Sequence, residues 1–175
     1  SEELGDKYGM GGSLNNIGLL HYNKGDYDKA LDYYARSLAI REELGEKTYS
    51  LMNIGTIYRD KGDLDKALDY YGRALLIDEE LGDKLDTGNN LNNIGTVFSI
   101  KGDCDKALDY EERALIIFEK IGDKKGIGMS LTSLGISCHN KGEYDKALDY
   151  QERAFALCED IGDKLGMAYI LNSIG

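Results

Sequence analysis

The strongest constraint on this chain is internal, because four segments repeat almost word for word. They are KGDYDKALDYYARSL from Lys24, KGDLDKALDYYGRAL from Lys61, KGDCDKALDYEERAL from Lys101 and KGEYDKALDYQERAF from Lys141. A Leu/Ile-Gly-Asp/Glu-Lys element recurs at Leu4, Leu44, Leu81, Ile121 and Ile161, and a motif close to Leu-Asn-Asn-Ile-Gly at Leu14, Leu51, Leu91, Leu131 and Leu171. Most periods are 40 residues. The step from Leu44 to Leu81 is 37, and the three missing residues fall between Lys47 and Leu51. A fixed period of this length signals an array of supersecondary units, none of which can bury its apolar face alone.

Each repeat reads as two helices. The first carries apolar residues at helical spacing, as in Leu51, Ile54 and Tyr58 or Leu91, Ile94 and Phe98. It ends at Lys-Gly, where glycine accepts the left-handed backbone that closes a helix. Asp26, Asp63 and Asp103 then stand at N-cap positions, with Asp28, Asp65 and Asp105 in the first turn, and Glu143 is a weaker cap in the fourth repeat. The second helix is expected to bury Ala30, Tyr34 and Leu38 or their equivalents. Its outer face carries Asp-to-Arg pairs four apart: Asp32–Arg36, Asp69–Arg73, Asp109–Arg113 and Asp149–Arg153. Tyr33, Tyr70, Tyr110 and Tyr150 recur in step and are expected to pack between helices. His21 stands where Tyr58 and Phe98 stand and reads as a packed side chain. Gly18, Gly55, Gly95, Gly135 and Gly175 lie inside first helices, each costing roughly 1 kcal/mol against alanine. Close approach of the partner helix at Ala30, Ala67, Ala107 and Ala147 is the expected compensation. Stacked pairs cover both of their apolar faces, so the predicted fold is an all-α solenoid, a right-handed superhelix of antiparallel helix pairs. Its repeats span about 8–43, 47–80, 84–120 and 124–160, with a half-unit at 164–175, in one array that reads as a segment of a longer one.

Composition excludes several function classes. The net charge of −11 argues against nucleic acid, which needs a Lys/Arg face to release counterions. Apolar runs are only a few residues long, so no membrane span is expected, and no secretory signal pattern occurs. Cys104, Cys138 and Cys158 are odd in number and widely spaced. They fit neither a disulfide framework nor a clustered zinc site and are expected to be free buried thiols in a reducing compartment, with the cytoplasm the default. Fourteen of the 22 glycines sit at repeated turn and packing places, so none belongs to a phosphate-binding loop. The acidic residues recur as caps and surface pairs, and two histidines in different repeats make no metal motif. No catalysis, cofactor or metal is expected of this segment.

The pattern Leu14-x2-Ile17-Gly18-x2-His21, then Ala30-x3-Tyr34 and Ser37, resembles the tetratricopeptide repeat. Leu51, Ile54, Gly55, Tyr58, Ala67, Tyr71 and Ala74 fit it better still. The longer period and the Leu-Gly-Asp-Lys linker look like the 40-residue variety of Pins-type adaptors, kinesin light chain and bacterial signalling arrays. Two departures stand out. The chain has no proline, so Leu/Ile-Gly-Asp replaces the family's usual helix-ending proline. Glu111 and Gln151 stand where Tyr34 and Tyr71 would pack, so those contacts should be wetter or differently packed. The deletion near Thr48 should shorten a linker or a helix start.

The resemblance implies a concave groove lined by the first helix of each pair, and the sequence marks the same helices independently. Residues 11–23, 88–100, 126–140 and 166–175 contain no Asp, Glu, Lys or Arg, and 48–60 contains only Arg59 and Asp60. The faces not needed for the core carry Asn15, Asn16, Asn53, Asn92, Asn93, Thr132, Ser133, Asn172 and Ser173. Asparagine is a mediocre helix former, yet its amide both donates and accepts, which suits the backbone of an extended peptide. In this reading Asn16, Asn53 and Asn93 form a ladder, surrounded by Tyr22, Tyr49, Met52, Thr56, Arg59, Thr96, Ser99, Met129, Ile136, His139 and Tyr169. A structural reading stands beside it, in which the asparagines bridge adjacent helices or simply descend from a common repeat. The expected function is a non-catalytic scaffold holding an extended protein or peptide partner. The alternatives are a regulatory or sensor arm of a larger signalling protein and a self-associating array, stacking head to tail through a last helix that exposes Ile170, Leu171 and Ile174.

Overall fold

The computed structural model describes residues 2–44 and 48–174, with side chains at 6–42, 48–168 and 170. Among them the regular structure is entirely helical: α1 (Glu2–Asn23), α2 (Tyr27–Leu44), α3 (Thr48–Asp60), α4 (Leu64–Leu81), α5 (Lys84–Ile100), α6 (Cys104–Ile121), α7 (Lys124–Lys141), α8 (Tyr144–Ile161) and α9 (Lys164–Ile174). The odd-numbered helices are the first helices of the repeats. The chain divides into two compact units, residues 1–77 and 78–175.

Helix boundaries follow the local chemistry. The carboxylates of Asp83, Asp103 and Asp123 accept backbone N–H groups at the starts of α5, α6 and α7, whereas Glu143 makes no such bond at α8. At the end of α6, Gly122 adopts φ +73° and lets the Asp123 N–H reach back to the Phe118 carbonyl at 3.0 Å. The lysine three residues after each cap folds back onto it: Lys29–Asp26 at 2.9 Å, Lys66–Asp63 at 2.7 Å, Lys106–Asp103 at 2.8 Å and Lys146–Glu143 at 2.7 Å. The hydrogen bond from that lysine holds the Asp26, Asp63, Asp103 and Glu143 carboxyls below their ordinary range. The helix α3 has 13 residues against 17 in α5 and 18 in α7, so the shortened repeat is short in its first helix. Residues 45–47 of the preceding turn lie outside the described residues.

In the N-terminal unit, Ala30 and Tyr34 of α2 meet Ile54 and Ile57 of α3 in one buried cluster. In the C-terminal unit, Leu115 of α6, Leu131 and Leu134 of α7, Ala154 and Cys158 of α8 and Ile170 of α9 form another. Ile170 is 1% exposed, which corrects the expectation of an open apolar edge there; the Leu171 and Ile174 side chains lie outside the described residues. Leu38 is only half-buried, and Ser37 beside it takes the fully buried place, bonding the Gly11 carbonyl at 2.9 Å. Cys138 and Cys158 are buried free thiols, while Cys104 is half-buried.

Repeated aromatic contacts tie the first three pairs together. His21 stacks on Tyr33 with centroids 5.4 Å apart, Tyr58 on Tyr70 at 5.5 Å, and Phe98 on Tyr110 at 5.6 Å. The arginines of the predicted ion pairs lie over the same rings: Arg36 on Tyr33, Arg73 on Tyr70, Arg113 on Tyr110 and Arg153 on Tyr150, at 5.1–5.5 Å.

The compensation for the helix-interior glycines is not the alanine contact expected from sequence. A Cβ on Gly18 would meet the Tyr34 ring at 2.7 Å, and one on Gly55 the Tyr71 ring at 2.9 Å. On Gly95 it would meet Cγ of Glu111 at 2.6 Å, with the Ala107 carbonyl second at 3.1 Å, and on Gly135 the Gln151 amide at 2.7 Å. Each glycine therefore seats the side chain 16 residues ahead, and the alanines are secondary. Gly55→Ala should lower stability, because forcing Tyr71 from its fully buried site costs roughly 1–3 kcal/mol, more than the ~1 kcal/mol of helix propensity gained. Gly72→Ala, where nothing lies within 4 Å, should instead stabilise by roughly 0.5–1 kcal/mol. Urea denaturation of the two variants checks both signs.

Candidate functional site

The first-helix faces are built differently in the two units. On α1 and α3, Asn53 Nδ2 donates to Asn15 Oδ1 at 3.0 Å, so these two amides bridge the helices, while Asn16 is exposed. Tyr22 donates its hydroxyl to Asp60 at 2.6 Å, and Arg59 pairs with the same carboxylate at 2.8 Å. Burial and the bond to Asp60 push the Tyr22 hydroxyl up to about 12. Two of the predicted binding residues thus converge on one acid. Thr56 bonds the Met52 carbonyl at 3.0 Å and lies 2.9 Å from the Tyr71 hydroxyl. Met52 is half-buried, and Tyr49 is exposed.

On α5 and α7 the predicted residues split. Asn92 and Thr132 are buried, and Thr132 bonds the Gly128 carbonyl of its own helix. Asn93, Thr96, Ser99, Ser133 and Ile136 are half-buried; Met129 and His139 are exposed, and His139 meets Tyr144 edge-on with centroids 5.4 Å apart. The side chains of Tyr169, Asn172 and Ser173 lie outside the described residues.

Two adjoining clefts run along this face. One, of about 280 Å³, is lined by Thr96, Ser99 and Ile100 of α5, Glu111 of α6, and Ser133, Ile136 and Asn140 of α7. The other, of about 290 Å³, is lined by Gly135, Ile136, His139 and Asn140 of α7 with Tyr144, Ala147, Leu148 and Gln151 of α8. They share Ile136 and Asn140. Glu111 and Gln151 belong to these walls, although the sequence reading gave them no binding role. The signal was their departure from the tyrosine of the first two repeats.

Glu111 is 1% exposed. The Ser137 hydroxyl donates to its Oε1 at 3.1 Å; Ser137 Oγ and Ser99 Oγ lie 3.2 Å apart; and Asn140 donates to Ser99 at 3.2 Å. Ser137 has a single hydroxyl proton, so it donates to Glu111 or to Ser99 but not to both at once. Glu111 Oε2 and Gln151 Oε1 are buried without a hydrogen-bond partner. Burial raises the Glu111 carboxyl to about 8, against the partial opposition of the Ser137 bond. Among the described residues no three His, Cys, Asp or Glu side chains gather as a metal site, and no helix is long and apolar enough to cross a membrane.

Three models described as tetratricopeptide repeat match the sequence, over residues 11–44, 47–120 and 130–159. No curated protein sequence matches. Among solved structures, BtubC (BKLC) from P. vanneervenii superposes with a TM-score of 0.76 at 23% identity, over 87% of this chain and 65% of that one. A Rap protein in complex with Competence and Sporulation Factor gives 0.85 at 20% identity, over 97% of this chain and 47% of that one. Aspartyl phosphate phosphatase F from Bacillus subtilis gives 0.84 at 18%, over 91% and 43%. This chain thus spans between 43% and 65% of their lengths, and at these identities the likeness is one of all-α solenoid fold.

The folded chain binds the Glu111 proton more tightly than an unfolded chain, in which the carboxyl titrates near 4.5. The resulting stability is complete below that value and is lost as pH rises through about 8. Glu111→Gln removes this dependence. Its melting temperature should match wild type near about pH 5 and exceed it near about pH 9, by the equivalent of a few kcal/mol. Parallel curves for the two proteins across this range would refute the buried-acid assignment.

Proposed function

This chain belongs to the tetratricopeptide repeat family, and from that premise we propose that it is a protein-interaction scaffold holding an extended peptide segment of its partner along first-helix faces. The observation that carries the proposal is the pair of adjoining clefts that share Ile136 and Asn140 of α7, walled mostly by hydroxyl, amide and aliphatic side chains and free of Lys and Arg. Apart from Glu111, a face of this kind offers hydrogen bonds to a peptide backbone without the desolvation penalty of charged walls. Asn93 and Ser133 occupy equivalent places in consecutive repeats and are half-buried, which suits contacts to backbone groups spaced along a strand. In the N-terminal unit Asn16 is the exposed member of the same series, while Asn53 serves as a bridge to Asn15. The Rap protein of similar fold, solved with Competence and Sporulation Factor bound, lends support to a binding role.

Selection from a random linear-peptide library tests the proposal. Enriched peptides should bind wild type and lose on the order of tenfold in affinity against Asn93→Ala/Ser133→Ala, as expected for two lost hydrogen bonds. Circular dichroism should show the variant still folded. Absence of enrichment, or peptides indifferent to the pair, would reject the groove. Asn53→Ala should behave differently, lowering stability by about 0.5–1.5 kcal/mol through the lost bridge to Asn15.

A further inference from the structure

The four repeats provide an internal comparison at one position. In the second repeat the Tyr71 ring lies against Gly55 and its hydroxyl reaches Thr56 at 2.9 Å, closing the face at that point. The equivalents in the third repeat are Gly95, Glu111 and Thr96. The Glu111 chain still packs on its glycine, but no ring follows it, and Thr96, which bonds the Asn92 carbonyl as Thr56 bonds that of Met52, has no tyrosine hydroxyl beside it. The space belongs to the cleft of about 280 Å³. Its polar floor is incomplete, since Oε1 of Glu111 is bonded to Ser137 while Oε2 has no hydrogen-bond partner.

We propose that the cleft floored by Glu111 is a subsite for one basic side chain, lysine or arginine, projecting from the extended segment held on α5 and α7. The inference rests on the groove reading above and adds its first sequence preference. Of the seven lining residues Glu111 is the single ionisable one, so nothing in the walls competes for it or repels a cation. Thr96, Ser99, Ser133 and Asn140 offer acceptor oxygens to the remaining N–H groups, and Ile100 and Ile136 flank the aliphatic stem. A lone carboxylate is too poor a ligand set for a metal ion. The acidic net charge of the chain also attracts a basic segment from solution.

The subsite makes binding pH-dependent. Unliganded Glu111 carries its proton up to about pH 8, so a cation entering below that value must displace the proton. Affinity for a basic peptide should rise by up to about tenfold per pH unit toward pH 8 and then level off. The other ionisable side chains near it are Cys138 on α7, whose thiol burial pushes up, and His139 and Tyr144 in the adjoining cleft; α5 contributes Thr96, Ser99 and Ile100, none of them ionisable. A His139→Gln control separates the histidine from the acid.

Two measurements test the proposal independently. In the first, the selected peptides are assayed against wild type and Glu111→Gln, which should fold because Gln151 already fills the equivalent place against Gly135. The expected result is a Lys or Arg at one fixed peptide position. Glu111→Gln should cost on the order of tenfold or more in affinity, and that loss should vanish when the basic residue is replaced by leucine. In the second, Nα-acetyl-arginine amide and Nα-acetyl-lysine amide are titrated into ¹⁵N-labelled protein. Shifts at the Ser99, Ile136 and Ser137 amides, absent in Glu111→Gln and in Glu111→Tyr, are expected. Peptides that bind with no basic preference and ignore Glu111→Gln would overturn the subsite while leaving the groove intact. Failure of the library with Glu111-dependent binding of the small cations would uphold the subsite and reject the extended-peptide reading. If the library fails and neither small cation moves those amides, the subsite is overturned together with the groove.

Discussion

The contact on which the architecture turns is between a glycine in each first helix and the side chain 16 residues ahead in the second. A glycine in mid-helix is locally unfavourable, and its removal would look like an easy route to stability. It persists because the missing Cβ is the space occupied by the Tyr34 and Tyr71 rings, the Glu111 stem and the Gln151 amide. With that space available the two helices of a pair approach closely, and Ala30, Ala67, Ala107 and Ala147 become buried beside the contact. The repeat is therefore a sterically matched pair rather than two amphipathic helices meeting through generic apolar faces.

Charge is arranged around this contact in a consistent way. The second helices carry the Asp–Arg pairs, and each arginine also lies over the tyrosine that follows the first member of its pair. These exposed ion pairs add little stability individually. Their value lies in holding tyrosine rings against the aromatic residues of the first helix. Residues 11–23, 88–100 and 126–140 of the first helices carry no Asp, Glu, Lys or Arg, so those stretches present amides, hydroxyls and aliphatic groups. In the N-terminal unit Tyr22 and Arg59 both gather on Asp60.

Part of the lining of the candidate clefts was legible in the sequence and part of it was not. The absence of charge along residues 88–100 and 126–140 marked α5 and α7, and Thr96, Ser99, Ser133 and Ile136 do line the clefts. Asn92 and Thr132 proved to be buried, because a helix face is defined by neighbours on both sides and the repeat pattern specifies only one of them. Glu111 and Gln151 were visible as departures from tyrosine. That a departure leaves an open cleft rather than a collapsed contact depends on how the flanking helices are held, and no periodicity encodes it.

The sequence by itself determined the helix pairs, their caps and turns, the outward ion pairs and the family, because each depends on residues a few positions apart and recurs at a fixed period. Only the tertiary structure decided which side chain each interior glycine accommodates, that Ile170 is covered, that Asn53 is spent on Asn15, and that Glu111 is bonded to Ser137 with one oxygen unsatisfied. Those outcomes join residues far apart in the sequence, on different helices. Their energies come from packing and desolvation, which are properties of the assembled interior and not of any local pattern.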